Sequence, residues 1–116
     1  MGSFPFPKTN RLLNRKDFVN LNKSGKRYHT AHFAFIFKQN GLGDTRLGIT
    51  VSKKIGNAVK RNRVKRLIRE FFRLHKKFFP QRYDIVIVAK MGASDLDFSK
   101  IKEELGEIIL DKKFHQ

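Results

Sequence analysis

Residues 47–73 read LGITVSKKIGNAVKRNRVKRLIREFFR, and this stretch decides how the chain can fold. Leu47, Ile49 and Val51 alternate with Gly48, Thr50 and Ser52, the two-residue period of a strand with one buried face. The pattern breaks at Lys53-Lys54-Ile55-Gly56-Asn57, where Gly and Asn can supply turn conformations. From about Ala58 the period becomes helical. Val64, Leu67, Ile68, Phe71, Leu74 and Phe78 fall on one stripe, with Asn62, Lys65, Arg66, Arg69, Arg73, Lys76 and Lys77 on the opposite face.

From Lys53 to Lys77 there are eleven Lys or Arg and a single acid, Glu70. Charge on an amphipathic helix ordinarily means a solvated face. Such a face mixes signs, because a favourable i,i+4 pair is worth roughly 0.2–0.5 kcal/mol. Here Arg61/Lys65, Lys65/Arg69 and Arg69/Arg73 are like-charge pairs, which cost about as much. Lys60, Arg61 and Arg63 in the first turns also oppose the helix dipole. The pattern predicts an external polyanion that neutralises this face.

The segment GNAVKRNRVKRLIREFFR, with Arg61-Asn62-Arg63 at its centre, closely resembles the signature of the bacterial ribonuclease P protein subunit. The preceding RLGITVSKKIGNAV, Arg46 to Val59, continues the match. A bare Arg-Asn-Arg would carry no weight. The ordered run of strand, Lys-Lys turn and basic helix is specific, and the resemblance covers most of the chain.

Composition agrees with one RNA-binding domain. The chain has 116 residues and a net charge of +16, with twelve Phe, no Trp and no Cys. A chain of that length can bury about two thirds of its unfolded surface without disulfides or a metal. Residues 1–90 carry 22 basic and 4 acidic residues, whereas 91–116 carry 4 and 6, so the excess charge belongs to one part of the surface. No apolar run is long enough for a membrane span, and no signal-peptide pattern is present. The expected location is the cytoplasm, with no membrane and no small-molecule substrate as partner.

The flanks complete the expected order. Residues 1–13 read as an N-terminal arm and 14–116 as a single domain. Asn14, with Asp17 three residues on, is a candidate cap for a helix over Arg15–Lys23 that stops at Ser24-Gly25. Lys26–Gln39 reads as one or two strands, with Phe33, Phe35 and Phe37 on one side and Ala34, Ile36 and Lys38 on the other. Asn40–Asp44 reads as a hairpin loop, after which Thr45–Ser52 returns antiparallel and offers Thr50 and Ser52 to a cleft. Pro80 stops the long helix. YDIVIVA, Tyr83–Ala89, is a strand covered on both faces. Ser94 or Asp95 would cap a last helix from Asp97 or Phe98 to about Lys112. The order is α-β-β-β-α-β-α, a two-layer α+β sandwich on a mostly antiparallel four-stranded sheet. One parallel pair is joined by the basic helix. Such crossovers are nearly always right-handed, but the family resemblance implies a left-handed one.

No catalytic constellation is legible. His29 and His32 have no carboxylate at metal-ligand spacing, and His75 reads as a packing residue. Glu103, Glu104 and Glu107 have no companion base, and no phosphate-binding glycine loop exists. The resemblance implies the same division of labour. The catalyst is an RNA subunit that uses Mg²⁺ to remove the 5′ leader of precursor tRNA. The protein contributes no catalytic group and no metal or cofactor site. Lys53, Lys54, Lys60, Arg61, Asn62, Arg63, Lys65, Arg66, Arg69 and Arg73 are the expected RNA-binding residues. Phe18, Asn22, Ile36, Thr50, Ser52, Arg61, Lys65 and Arg69 are the expected leader cleft. Asn22 and Ile36 stand where some relatives carry aromatics, which leaves stacking to Phe18. The competing readings are a ribosomal or general RNA-binding module, resting on charge and size alone, and a stand-alone nuclease.

Overall fold

The computed structural model describes residues 15–41, 45–79 and 81–109. The expected arm at 1–13, the Asn14 cap, the Pro80 stop and the end of the last helix lie outside them, as do the side chains of Asp17, Phe18 and Asn22. The elements are α1 (Arg15–Ser24), β1 (Lys26–His29), β2 (Phe33–Gln39), β3 (Arg46–Thr50), α2 (Ala58–Leu74), β4 (Tyr83–Ala89) and α3 (Phe98–Ile109). The expected α-β-β-β-α-β-α order is present.

The sheet runs β1-β2-β4-β3. β1 and β4 pair antiparallel with β2, and β3 pairs parallel with β4, with Leu47 opposite Ile85 and Ile49 opposite Ile87. The expected hairpin between β2 and β3 is therefore corrected: β4 is inserted between them. β4 can occupy that central position because both its faces are apolar and both are covered. β3, with Gly48 and Thr50 on its second face, suits an edge.

Strand alternation builds two cores of unequal size. Phe33, Phe35, Phe37, Leu47, Ile85 and Ile87 join Val64, Ile68, Phe71 and Phe72 of α2 and Ile101, Leu105, Ile108 and Ile109 of α3. On the opposite face Leu21 of α1 packs with Ile36 and Val86, and Val88 leans against them. The sandwich of sheet against α2 and α3 is thus supplemented by α1 on the far side. Two positions of the predicted α2 stripe are corrected: Leu74 is 47% exposed and Phe78 is 42% exposed, whereas Phe72 is fully buried. Leu74 falls at about 100° from the middle of the buried face set by Val64, Ile68, Phe71 and Phe72, and Phe78 lies beyond the end of α2 in a 3-10 turn, Lys76–Phe78, that breaks the helical period.

Candidate RNA interface

The chain leaves β3 at Thr50 and passes through a 3-10 turn at Lys53–Ile55. Ile55 is buried and pins this turn to the main core, which leaves Lys53 and Lys54 exposed. Asn57 then caps α2, its side-chain oxygen accepting the Lys60 amide at 3.0 Å. Turn and helix are therefore fixed relative to each other from both sides. The ridge continues directly from the sheet end, tied to the core by Ile55 and to the helix by the Asn57 cap.

The ridge faces out. Lys53, Lys54, Lys60, Asn62, Arg66, Arg69 and Arg73 are exposed, and Arg61, Arg63 and Lys65 are half-buried. The two half-buried arginines are oriented by carbonyls. Arg61 Nε donates to Gly56 O at 3.2 Å, and Arg63 Nη1 donates to Ser94 O at 3.4 Å. A carbonyl fixes a guanidinium without cancelling its charge, so the remaining N–H groups stay available for phosphate forks. Among the described residues, no carboxylate lies within salt-bridge reach of Lys53, Lys54, Lys60, Arg61, Arg63, Lys65 or Arg66. Arg73 is different. It forms a fork with Glu70, Nε–Oε1 at 3.0 Å and Nη2–Oε2 at 2.6 Å. The Arg73 hydrogen bonds hold the Glu70 carboxyl below its ordinary range. The unmatched charge is thus concentrated on the turn and the first half of α2.

At 100° per residue, Asn62, Arg66, Arg69 and Arg73 share the crest of α2. Arg63 lies on the flank toward the 3-10 turn Ala93–Asp95, whose Ser94 it touches. Arg61 and Lys65 lie on the other flank. The expected leader residues of α2 therefore occupy the crest and the side away from Arg63.

The other expected cleft residues separate. Thr50 and Ser52 are exposed where β3 leads into the ridge. Ile36, expected on the cleft floor, is instead 4% exposed and covered by Leu21. It anchors α1, because α1 packs chiefly over β2 and β4 and leaves the β3 edge beside it. Val88, paired with Thr50 and half-buried, is the apolar residue that borders this opening. Its place depends on β4 being inserted between β2 and β3, which the expected β2–β3 hairpin did not foresee.

The sequence also conceals a His–Glu pair. His32 Nδ1 lies 3.0 Å from Glu104 Oε2, and the His32 amide donates to Glu104 Oε1. The partners are 72 positions apart, so no local spacing signals them. Burial pushes the Glu104 carboxyl up, but hydrogen bonds from the Thr30 hydroxyl and the His32 amide and ring outweigh it and hold the group below its ordinary range. This pair ties the β1–β2 loop to α3. It opens on a pocket of about 390 Å³ whose charged lining also includes Glu103, Glu107 and Lys100, so acids outnumber bases there. The expected Ser94 or Asp95 cap of α3 is corrected to Asp97, whose Oδ1 accepts the Lys100 amide at 2.9 Å. No group of three or more His, Asp or Glu is placed to hold a metal ion among the described residues, and no described helix is long and apolar enough to cross a membrane.

Fold and ridge together define a class: a small α+β protein that projects a preorganised cationic helix start beside an open sheet edge. The Ribonuclease P family model matches residues 6–113. The ribonuclease P protein component of Syntrophus aciditrophicus (strain SB) is 46% identical over 109 residues, covering 94% of this chain and 92% of that one. That of Citrifermentans bemidjiense is 50% identical over 105 residues, covering 90% of each. Among solved structures, the RNase P protein of Staphylococcus aureus superposes with a TM-score of 0.85 at 34% identity, covering 94% of this chain and 100% of that one. The RNase P protein of Thermotoga maritima gives 0.79 at 37% identity, covering 85% and 94%. The chain belongs to the ribonuclease P protein family, whose members are subunits of an endoribonuclease that processes tRNA.

Proposed function

We propose that this chain binds the catalytic RNA of ribonuclease P through Lys53, Lys54, Lys60, Arg61, Asn62, Arg63, Lys65 and Arg66. On this reading it grips the single-stranded 5′ leader of precursor tRNA between α1 and the β3 edge and supplies no bond-breaking group of its own. The observation that carries the reading is the outward ridge, whose arginines are oriented by Gly56 and Ser94 carbonyls and left charged. Phosphates release their counterions to such a surface, and Asn62 adds an amide able to meet a base edge or a 2′-hydroxyl. The leader lies against Thr50, Ser52, Arg61, Lys65 and Arg69, with Phe18 of α1 as the stacking residue. Mg²⁺ serves the RNA subunit, and the work is cytoplasmic.

Reconstitution tests this directly. The protein, mixed with a ribonuclease P RNA at low Mg²⁺, is expected to raise cleavage of precursor tRNA well above that of the RNA alone. No gain would reject the reading. Equal affinity for precursor and mature tRNA would leave a general RNA-binding module. Cleavage by protein rigorously freed of RNA would point to the His32–Glu104 pair and a stand-alone nuclease.

A further inference from the structure

The far end of α2 carries an aromatic surface that the ridge does not use. His75 caps the helix, its amide donating to Phe71 O at 3.0 Å. Its ring stacks on Phe71 with centroids 4.4 Å apart and planes at 22°. The 3-10 turn that follows sends two adjacent phenylalanines in opposite directions. Phe79 turns inward, 4% exposed, with its ring 4.6 Å from that of Phe72. Phe78 turns outward, 42% exposed, with its ring 6.2 Å from that of His75. The Phe78 amide donates to His75 O at 2.9 Å, which fixes the backbone of the turn that carries the outward ring. Phe71, His75 and Phe78 form a continuous line of rings from the core to the surface.

The surroundings of that ring are cationic. Lys77 Nζ lies 5.3 Å from the Phe78 centroid, and Lys76 is exposed two residues before it in the chain. The one acid between Lys53 and Lys77, Glu70, is already held by Arg73. We propose that Phe78, flanked by Lys77, is a stacking platform for an unpaired base of RNA, a second contact at the opposite end of α2 from the ridge. The proposal rests on the RNA-binding reading above. An aromatic face beside cations is the chemistry that recognises single strands, because every unpaired base offers a π-face and a neighbouring phosphate. A duplex hides those faces. The Lys77–Phe78 contact does not block the site. An ammonium over an exposed ring is held more weakly than a stacked base. Its flexible stem lets the charge swing to the phosphate.

The chain has no Trp, so Phe78→Trp gives it a single indole reporter. Full-length protein would be titrated with a short oligouridine and, separately, with a short RNA duplex. The Trp fluorescence is expected to be quenched by oligouridine and to change little with duplex. Phe78→Ala is expected to weaken oligouridine binding about tenfold, with Phe78→Trp restoring it. The slope of affinity against salt should stay constant, because no charge changes. Unchanged affinity in Phe78→Ala, or an equal loss on duplex, overturns the platform. So does quenching by anionic phosphatidylserine vesicles with none by oligouridine, which would make the ring a membrane contact. Loss of thermal stability in Phe78→Ala without loss of RNA affinity assigns the ring to packing and likewise overturns it. If wild-type protein binds neither RNA, the RNA-binding reading itself falls; if it binds both and Phe78 is silent, only the platform does.

Discussion

A methyl group on Gly25 would sit 2.6 Å from the Leu21 carbonyl oxygen and 2.9 Å from Ile36 Cγ2. The same carbonyl accepts the Gly25 amide at 2.8 Å. The chain therefore leaves α1 and enters β1 with its backbone pressed onto the sheet, and a backbone atom cannot yield. Gly25→Ala must lift α1 from Ile36. Overpacking of this kind costs about 1–3 kcal/mol, and it moves the wall of the proposed leader cleft. Urea unfolding should show the loss, and the preference for precursor over mature tRNA should fall with it while affinity for the catalytic RNA holds. Glu104 makes a second prediction at this scale. Its folded pKa lies below the ordinary value of 4.5, so the unfolded chain binds the proton first as pH falls. The stabilisation is complete above the ordinary carboxylate range and is lost as pH drops through the lowered folded value. Glu104→Gln should be less stable at neutral pH and should show a flatter loss of stability in acid. Parallel pH–stability curves for the two proteins would show that the His32–Glu104 tie contributes nothing.

On the scale of the element, α2 has two faces with opposing requirements. Its inner face is Val64, Ile68, Phe71 and Phe72, all essentially inaccessible, so Ile68→Ala should cost about 2–5 kcal/mol. Its Asn57 cap is worth about 1 kcal/mol, read from Asn57→Ala. Its outer face works against the helix. Lys65 stands four residues from both Arg61 and Arg69. Lys65→Glu replaces two like-charge pairs with two opposite ones and should stabilise the free protein by about 0.5–1 kcal/mol. The same change should weaken RNA binding. Opposite signs in thermal unfolding and RNA affinity are the expected signature of a face kept for a partner; loss in both would mean that Lys65 serves the fold. This division explains what the sequence could show. The strand period, the Lys-Lys turn and the helix period are local, and so the elements from Leu47 to Leu74 were legible. The two covered faces of β4 and its parallel pairing with β3 were legible too, but its insertion between β2 and β3 was not, because the short β2–β3 connection reads as a hairpin and strand order is a long-range property. The burial of Ile36 and the His32–Glu104 pair were hidden for the same reason: each joins segments distant in the chain. The inward and outward roles of Phe79 and Phe78 were not legible either, because the two neighbours have the same hydropathy and a 3-10 turn, not the helical period, decides which is buried.

At the scale of the whole molecule, the charge of +16 is not a uniform coat. Residues 91–116, with α3 and its Glu103, Glu104 and Glu107, carry more acids than bases, and α3 packs beside α2 against the same sheet face. The domain is therefore polarised, with its cationic excess on the turn and α2 and none on α3, where two Lys accompany three Glu. A polyanion approaching at low salt should be oriented before it touches, since a one-sided charge distribution steers encounter. Salt titration makes this quantitative. Among the described residues, Lys53, Lys54, Lys60, Arg61, Arg63 and Arg66 lack a carboxylate partner. If these six each neutralise one phosphate of a helical RNA, log K should fall with log salt at a slope of about −5. Lys53→Ala or Arg63→Ala should reduce that slope by about one. Arg73→Ala should leave it nearly unchanged, because the Glu70 fork already matches that charge. A slope near −1 in the wild type would mean that the ridge charges stay solvated when RNA binds. An equal effect of Arg73→Ala and Arg63→Ala would mean that the Glu70 fork opens on binding, so that the full length of α2 meets the RNA.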